Sequence, residues 1–392
     1  MLKNIFYLLI FIGMLSACNS EMNVKPNRMP LVVITDMYHP HQDPGDNLEL
    51  INAYALPKLN LKAVILDCHE PFRHKIAKDV GPGLFEDPNG PREPGYIPMH
   101  QLNYLFGKNV KYGVGPFTST KTLDDQMENL NEFQNQGLDL LKRTLKNAER
   151  PVTIASFGSS RVLSVAYNRY PELMLEKIKM IHLSAGTSGN HPDYLEWNVA
   201  LDTLAFVNIM QSGLPISLYP CASGKKLDEG SQLANAFMKD SNNTYYQLKN
   251  LSFIEEMEPG LRQYCYSIFK PYRGVDYLGY LEKKSPVDSS IFEKSHNVWE
   301  TAVWMQLADL KLIKDKKGQI RIIPASKVNQ SHEVFKERMM RCNVKVKQDG
   351  LFEYEYNKNG NFLIYERGAV DQYEKWMNQA IPKFYKSIML NN

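Results

Sequence analysis

The chain has 392 residues, 43% of them hydrophobic and 23% charged, and its 46 Lys and Arg nearly balance 43 Asp and Glu. Such a composition can bury a large core, and its near-neutral balance lacks the basic field of a nucleic-acid binder, so no DNA or RNA partner is expected. No composition break, repeat or low-complexity segment divides the chain, which reads as one domain over residues 29–392.

The first residues give an address. Lys3 precedes a mostly apolar run over residues 5–15, too short to span a bilayer and suited to a secretory signal. Leu15-Ser16-Ala17-Cys18 follows and resembles the bacterial lipoprotein box, in which the cysteine becomes the lipidated first residue. Residues 1–18 are then a signal peptide and 19–28 a polar tether. Acyl chains on Cys18 would anchor an exported protein to a membrane, at the periplasmic face or the cell surface. The other cysteines, Cys68, Cys221, Cys265 and Cys342, show no CxxC spacing and read equally as buried thiols or as disulfide partners.

Leu31 to Ile34 form a continuous apolar run, the pattern of a strand buried on both faces of a parallel sheet. Asp36, His39, His41, Asp43 and Asp46 crowd the loop that follows, before a helical stretch from Leu48 to Ala55. Open α/β sheets place ligands at the carboxyl ends of their strands, so this loop is the first candidate site. Asp46 has Glu49 three residues on and could instead cap a helix through a capping box. Imidazoles at positions 39 and 41 would suit a transition metal.

A second strand (Leu61–Leu66) ends in Asp67-Cys68-His69-Glu70, and the Gly/Pro-rich stretch 79–98 reads as a long loop whose position suits a lid. A short strand lies within Gly107–Thr120, and residues 124–147 read as a polar-faced helix. Pro151–Phe157 is a third buried strand, followed by Gly158-Ser159-Ser160, a helix from Val162, and a strand over Ile178–Leu183. This alternation predicts an α/β fold with a mainly parallel sheet flanked by helices. Ser184–Asn190 is a flexible turn, Glu196 and Asn198 could share one strand face, and Leu214–Tyr219 is another strand. Ser295-His296-Asn297 stands before a helix over Trp299–Leu310. Segments 320–323, 352–356 and 362–365 read as a small peripheral C-terminal ribbon, and a closing helix runs from Ala369 to about Ile388 through Pro382. Tyr264, Tyr266 and Tyr272 read as core, with stacking on a base as the alternative. No Gly-x-Ser-x-Gly, P-loop or strand-following Gly-x-Gly-x-x-Gly occurs, which excludes the common serine-hydrolase, nucleotide and dinucleotide signatures.

In this order the motifs resemble the inosine-uridine nucleoside hydrolase family, over residues 31 to about 310. Asp43-Pro44-Gly45 is similar to the family's Asp-Pro-Gly, Asp46 falls on the second of its paired aspartates, and Asp36 falls where the family loop begins. The resemblance implies calcium bound by Asp36 or Asp43, by Asp46, by a carbonyl from Ser160 or Arg161, and by Asn297, where the family carries aspartate. It also implies ribose binding by Asn190, Glu196 and Asn198, with Asp202 at the family's following aspartate, and His296 near the leaving base. A metal-bound water, with Asp36 or Asp43 as base, would cleave the N-glycosidic bond of a ribonucleoside or related glycoside through an oxocarbenium-like state. Another divalent metal is an option, and family members are commonly oligomers.

Two departures weaken the enzymatic reading. Gly45 stands where the family has its first paired aspartate, and Asn297 carries one charge fewer. They support the alternative of a non-catalytic sugar- or nucleoside-binding surface lipoprotein with a degenerate hydrolase pocket.

Overall fold

The computed structural model describes residues 28–41, 43–73, 92–189, 192–224, 242–270, 274–283, 289–293, 295–368 and 370–390. The signal segment, Cys18, the tether up to residue 27, positions 79–91 of the Gly/Pro-rich stretch, Asn190 and Tyr272 lie outside them.

The strands of the main sheet are β1 (Met29–Thr35), β2 (Leu59–Leu66), β3 (Lys111–Val114), β4 (Val152–Ser156), β5 (Ile178–Ser184), β6 (Ile216–Tyr219), β7 (Glu337–Val346), β8 (Phe352–Tyr356) and β9 (Phe362–Arg367). Their order is β8-β7-β9-β6-β5-β4-β1-β2-β3. From β3 to β9 every pairing is parallel, and only β7 runs antiparallel to its two neighbours. The mainly parallel α/β sheet expected from the sequence is therefore present. The run β3-β2-β1-β4-β5-β6 is the doubly wound order, whose switch point lies between β1 and β4.

Alternation along β1 explains its unbroken apolar run. Leu31 and Val33 join Val64 and Leu66 in the core on one face, while Val32 and Ile34 join Ala63, Ile65, Ile154 and Ile181 on the other. Burying each such side chain contributes roughly 1.5–3 kcal/mol. Helices α1 (Pro44–Ala55), α5 (Pro259–Phe269), α6 (Thr301–Ala308) and α7 (Val370–Lys386) cover the first face; α2 (Glu132–Lys146) and α3 (Arg161–Arg169) cover the second. The short α4 (Trp197–Leu201) follows β5.

Several expectations are corrected. The 124–147 helix starts only at Glu132, because Asn131 caps it by accepting from Gln134 N at 2.9 Å. Of the three segments read as a peripheral ribbon, only Ile320–Pro324 stays outside the main sheet, paired with Leu310–Lys314. β8 and β9 instead extend the main sheet, because β9 pairs in parallel with β6 and buries Phe362 and Ile364. The helix expected over Trp299–Leu310 is shorter, Thr301–Ala308, and His296–Val298 is a strand pairing with Tyr246–Leu248. Cys68, Cys221, Cys265 and Cys342 are buried free thiols, and Tyr264 and Tyr266 are core residues. Among the described residues no helix is long and apolar enough to cross a membrane.

Candidate active site

A cavity of about 260 Å³ opens at the carboxyl ends of β1, β4 and β6. Asp36 enters it directly after β1, Phe157 after β4, and Cys221 and Ala222 after β6. Asp43 and Asp46 come from the start of α1, Tyr194, Glu196, Trp197 and Asn198 from the approach to α4, and Asn297, Trp299 and Glu300 from the approach to α6. The switch point of the sheet thus gathers six of the residues singled out in the sequence: Asp36, Asp43, Asp46, Glu196, Asn198 and Asn297.

Their charges are not compensated. Asp36 is 4% exposed, and burial, then Asp67 and Asp43, hold its pKa well above the usual carboxylate range. Asp46 is raised in the same way by burial, then by Asp36, Glu300 and Asp43. No lysine or arginine lines the cavity. Crowded carboxylates in a low-dielectric hollow are the chemistry of a hard divalent cation, which takes oxygen ligands and would relieve this repulsion. The donor types present are therefore those of a hard divalent cation. As the side chains stand, no three of His, Cys, Asp or Glu among the described residues converge on one point, so neutral oxygens or a turned side chain would complete the shell. The imidazoles at positions 39 and 41 do not line the cavity. Burial, then neighbouring His39, pushes the pKa of His41 down to about 3.

Asp43, not Asp46, caps α1: its Oδ1 accepts from Gly45 N at 2.8 Å. The same oxygen lies 3.8 Å from His296 Nε2, which has no hydrogen-bond partner among the described residues. A Cβ on Gly45 would stand 2.9 Å from that nitrogen, so the glycine makes room for the histidine. Ser160 sits at the N-cap position of α3; its carbonyl accepts from Ser164 N at 2.9 Å, and it does not line the cavity. Asn297 Oδ1 takes the Tyr245 hydroxyl at 2.8 Å and Gln247 Nε2 at 3.4 Å.

Glu196 and Asn198 do not share a strand face. Glu196 caps α4, accepting from Asn198 N at 3.0 Å and Val199 N at 3.4 Å, and also takes Gly186 N at 2.8 Å. Asn198 Nδ2 binds the carbonyls of Phe157 and Ser184, tying β4 and β5 to the site and leaving its Oδ1 for a ligand. Below them, Asp202 is paired with Arg161 Nε at 2.9 Å and takes two bonds from Thr120.

Sequence reasoning missed Glu300, Tyr194 and the walls made by Phe157, Trp197 and Trp299. A signal was present: the dipeptide Trp299-Glu300 directly follows the Ser295–Val298 stretch. Beneath the site, buried Glu49 accepts from Tyr385, Thr301 and Asn52, and burial raises its pKa to about 7 despite these bonds. A raised folded-state pKa favours the neutral acid, so its contribution is complete below about 4.5 and lost as pH rises toward 7. Urea titrations of Glu49→Gln against the parent chain should therefore diverge between pH 5 and 8 by on the order of 3 kcal/mol, the parent losing stability. Parallel pH profiles would refute this.

The molecule is thus a doubly wound α/β protein with an acidic, aromatic-walled cavity at its switch point. The chain is related in sequence to ribonucleoside hydrolases and has their fold. The pyrimidine-specific ribonucleoside hydrolase RihA of Escherichia coli O6:H1 is 28% identical over 183 residues, 44% of this chain and 56% of that one. RihA of Salmonella paratyphi A is 27% identical over 197 residues, 48% and 59% of the two chains. The match thus spans somewhat more than half the length of these relatives. Among solved structures, an inosine-guanosine nucleoside hydrolase superposes with a TM-score of 0.50 at 11% identity, covering 90% of this chain and 98% of that one. The effector protein XOO4466 gives 0.52 at 11%, covering 93% and 94%. No family model matches the sequence.

Proposed function

We propose that the chain hydrolyses the N-glycosidic bond of a ribonucleoside or related glycoside. The observation that carries this is the cavity itself, where Asp36, Asp43 and Asp46 face Glu196, Asn198 and Asn297 between aromatic walls. A divalent cation, calcium by the nature of its donors, would be held by Asp36 and Asp46 with neutral oxygens completing its shell; when bound it supplies positive charge that eases proton loss from water. Asp43 has one oxygen committed to capping, so Asp36 is the better-placed base. The free Oδ1 of Asn198 and the carboxylate of Glu196 orient sugar hydroxyls, and Trp197, Trp299 and Tyr194 offer flat faces to the base. His296, beside Asp43, is the candidate hydrogen-bond donor to the departing base.

A panel of purine and pyrimidine nucleosides and simple glycosides, assayed for released sugar with calcium and with chelator, tests this reading. Calcium-dependent release from a nucleoside is expected. No release from any of them, with nucleoside binding seen by calorimetry, would favour the binding-lipoprotein alternative, to which the engaged Asn297 oxygen lends support.

The same reading extends to the address: an exported lipoprotein anchored through Cys18. Expressed in a bacterial host fed labelled palmitate, the chain should incorporate label, and Cys18→Ala should abolish it. Equal labelling of both would refute the anchor.

A further inference from the structure

The two ends of the main sheet carry opposite charge. Asp36, Asp43, Asp46, Glu196 and Glu300 line the cavity at the carboxyl ends of the strands, and no lysine or arginine joins them. At the amino ends, Arg28, Lys58, Lys62, Lys146, Arg150 and Lys179 are exposed. They flank the starts of β1, β2, β4 and β5 and the last turn of α2. Among the described residues, carboxylates on this rim are fewer: Glu149, Glu176, which lies 3.2 Å from Lys177, and Asp309, which lies 2.8 Å from Lys58. A second cavity, of about 350 Å³, opens here, with Lys62 and Arg150 in its wall against the single carboxylate Glu149. The Arg150 guanidinium also donates to the Arg28 carbonyl, tying the groove to the start of β1.

The chain enters the sheet at this same end. Cys18 precedes Arg28 by ten residues, a reach of at most about 35 Å. From Met29 to Asp36, β1 then carries the chain about 23 Å to the cavity. A lipid on Cys18 would therefore tether the sheet by its basic end, with the cavity at the other. Anionic headgroups attract clustered lysine and arginine close to a bilayer, and the attraction fades within a Debye length of about 8 Å in physiological salt. The same field repels the carboxylates of the cavity end. An acyl chain and a basic face together hold a protein on a membrane more firmly than either alone. Resting on the anchor reading, we propose that the amino-end rim, centred on the groove between Lys62 and Arg150, is a docking face for anionic phospholipid headgroups that holds the cavity open to the aqueous side. Substrate then reaches the cavity from solution and not from the bilayer.

Amine labelling read by mass spectrometry tests the proposal on the purified full chain, carried into vesicles of phosphatidylcholine alone or with about one-third phosphatidylglycerol. Lys62, Lys146 and Lys179 should label about threefold or more slowly on the phosphatidylglycerol vesicles, and about 0.5 M salt should erase the difference. Lys121, exposed beside the Thr120 that bonds Asp202, is the internal reference and should label alike on both. The double change Lys62→Glu with Arg150→Glu should remove the protection of Lys146 and Lys179; a variant protected like the parent would count against the groove and overturn the proposal. Equal labelling of the parent on the two compositions would also overturn it, and the basic rim would then reflect only the preference of helix ends for lysine and arginine. Slowing of Lys121 together with the rim would do the same, because the chain would then lie on the bilayer in no fixed orientation. Labelled palmitate separates the two readings. Protection without acylation would keep the docking face and refute the anchor, whereas acylation without protection would keep the anchor and refute the docking face.

Discussion

Changing Asp36 to Asn is expected to lower nucleoside hydrolysis by about a thousandfold while leaving the cation-free chain as stable as the parent, or more so. The loss is of the size expected when a positioned general base is removed, and a lost cation charge would deepen it. The stability argument has the opposite sign from the usual one for a buried polar residue. Asp36 is held above the ordinary carboxylate range by burial and by Asp67 and Asp43, so its ionised form costs stability at neutral pH, and an amide of the same shape removes that cost. Its neighbour Asp67 is the control. His69, Arg161 and Ser159 outweigh burial there and pull the pKa down, so the carboxylate stabilises the fold above the carboxylate range. Asp67→Asn should therefore lower the melting temperature in chelator where Asp36→Asn does not. Turnover assays and thermal unfolding of the two variants decide the matter; near-parental rates for Asp36→Asn would remove it from the mechanism.

The second large effect concerns stability. Arg161→Met should cost about 4 kcal/mol, measured by urea unfolding, because it strands a buried charge on Asp202. Arg161 is 1% exposed, and its guanidinium also donates to the carbonyls of Cys68, Pro116, Phe117 and Leu201 at 3.0–3.2 Å. Those carbonyls belong to the segments after β2 and β3 and to the end of α4, so one side chain clamps three pieces of the site floor. A double change, Arg161→Met with Asp202→Leu, should recover part of the loss, since no charge is then left unpaired. A single variant as stable as the parent would contradict this account.

The strand ends were legible in the sequence because buried parallel strands are written as unbroken apolar runs, and a polar residue immediately after such a run is conspicuous. Asp36 was found that way. Asp46 was ambiguous, since a carboxylate before a helix is the ordinary sign of a cap, and only the geometry shows that Asp43 holds the cap bond. Glu300 was passed over for a different reason: it approaches the cavity from a segment more than 250 residues after Asp46, and its place just after the Ser295–Val298 stretch was the one local sign of it. The same holds for β9, whose parallel pairing with β6 joins residues 216–218 to 362–364. Long-range pairing is decided by what the whole sheet can bury, and periodicity does not record it.

The contact between Tyr385 and Glu49, 336 residues apart, sets a schedule for making the protein. At ordinary ribosome speeds the interval between emergence of the acidic loop and of the helix that braces α1 is on the order of tens of seconds. During that time β6 also lacks its outer neighbour, so the nascent chain holds an unfinished sheet edge and an unassembled cavity. Were the chain exported as proposed, such a delay would keep it threadable until its last turn is synthesised.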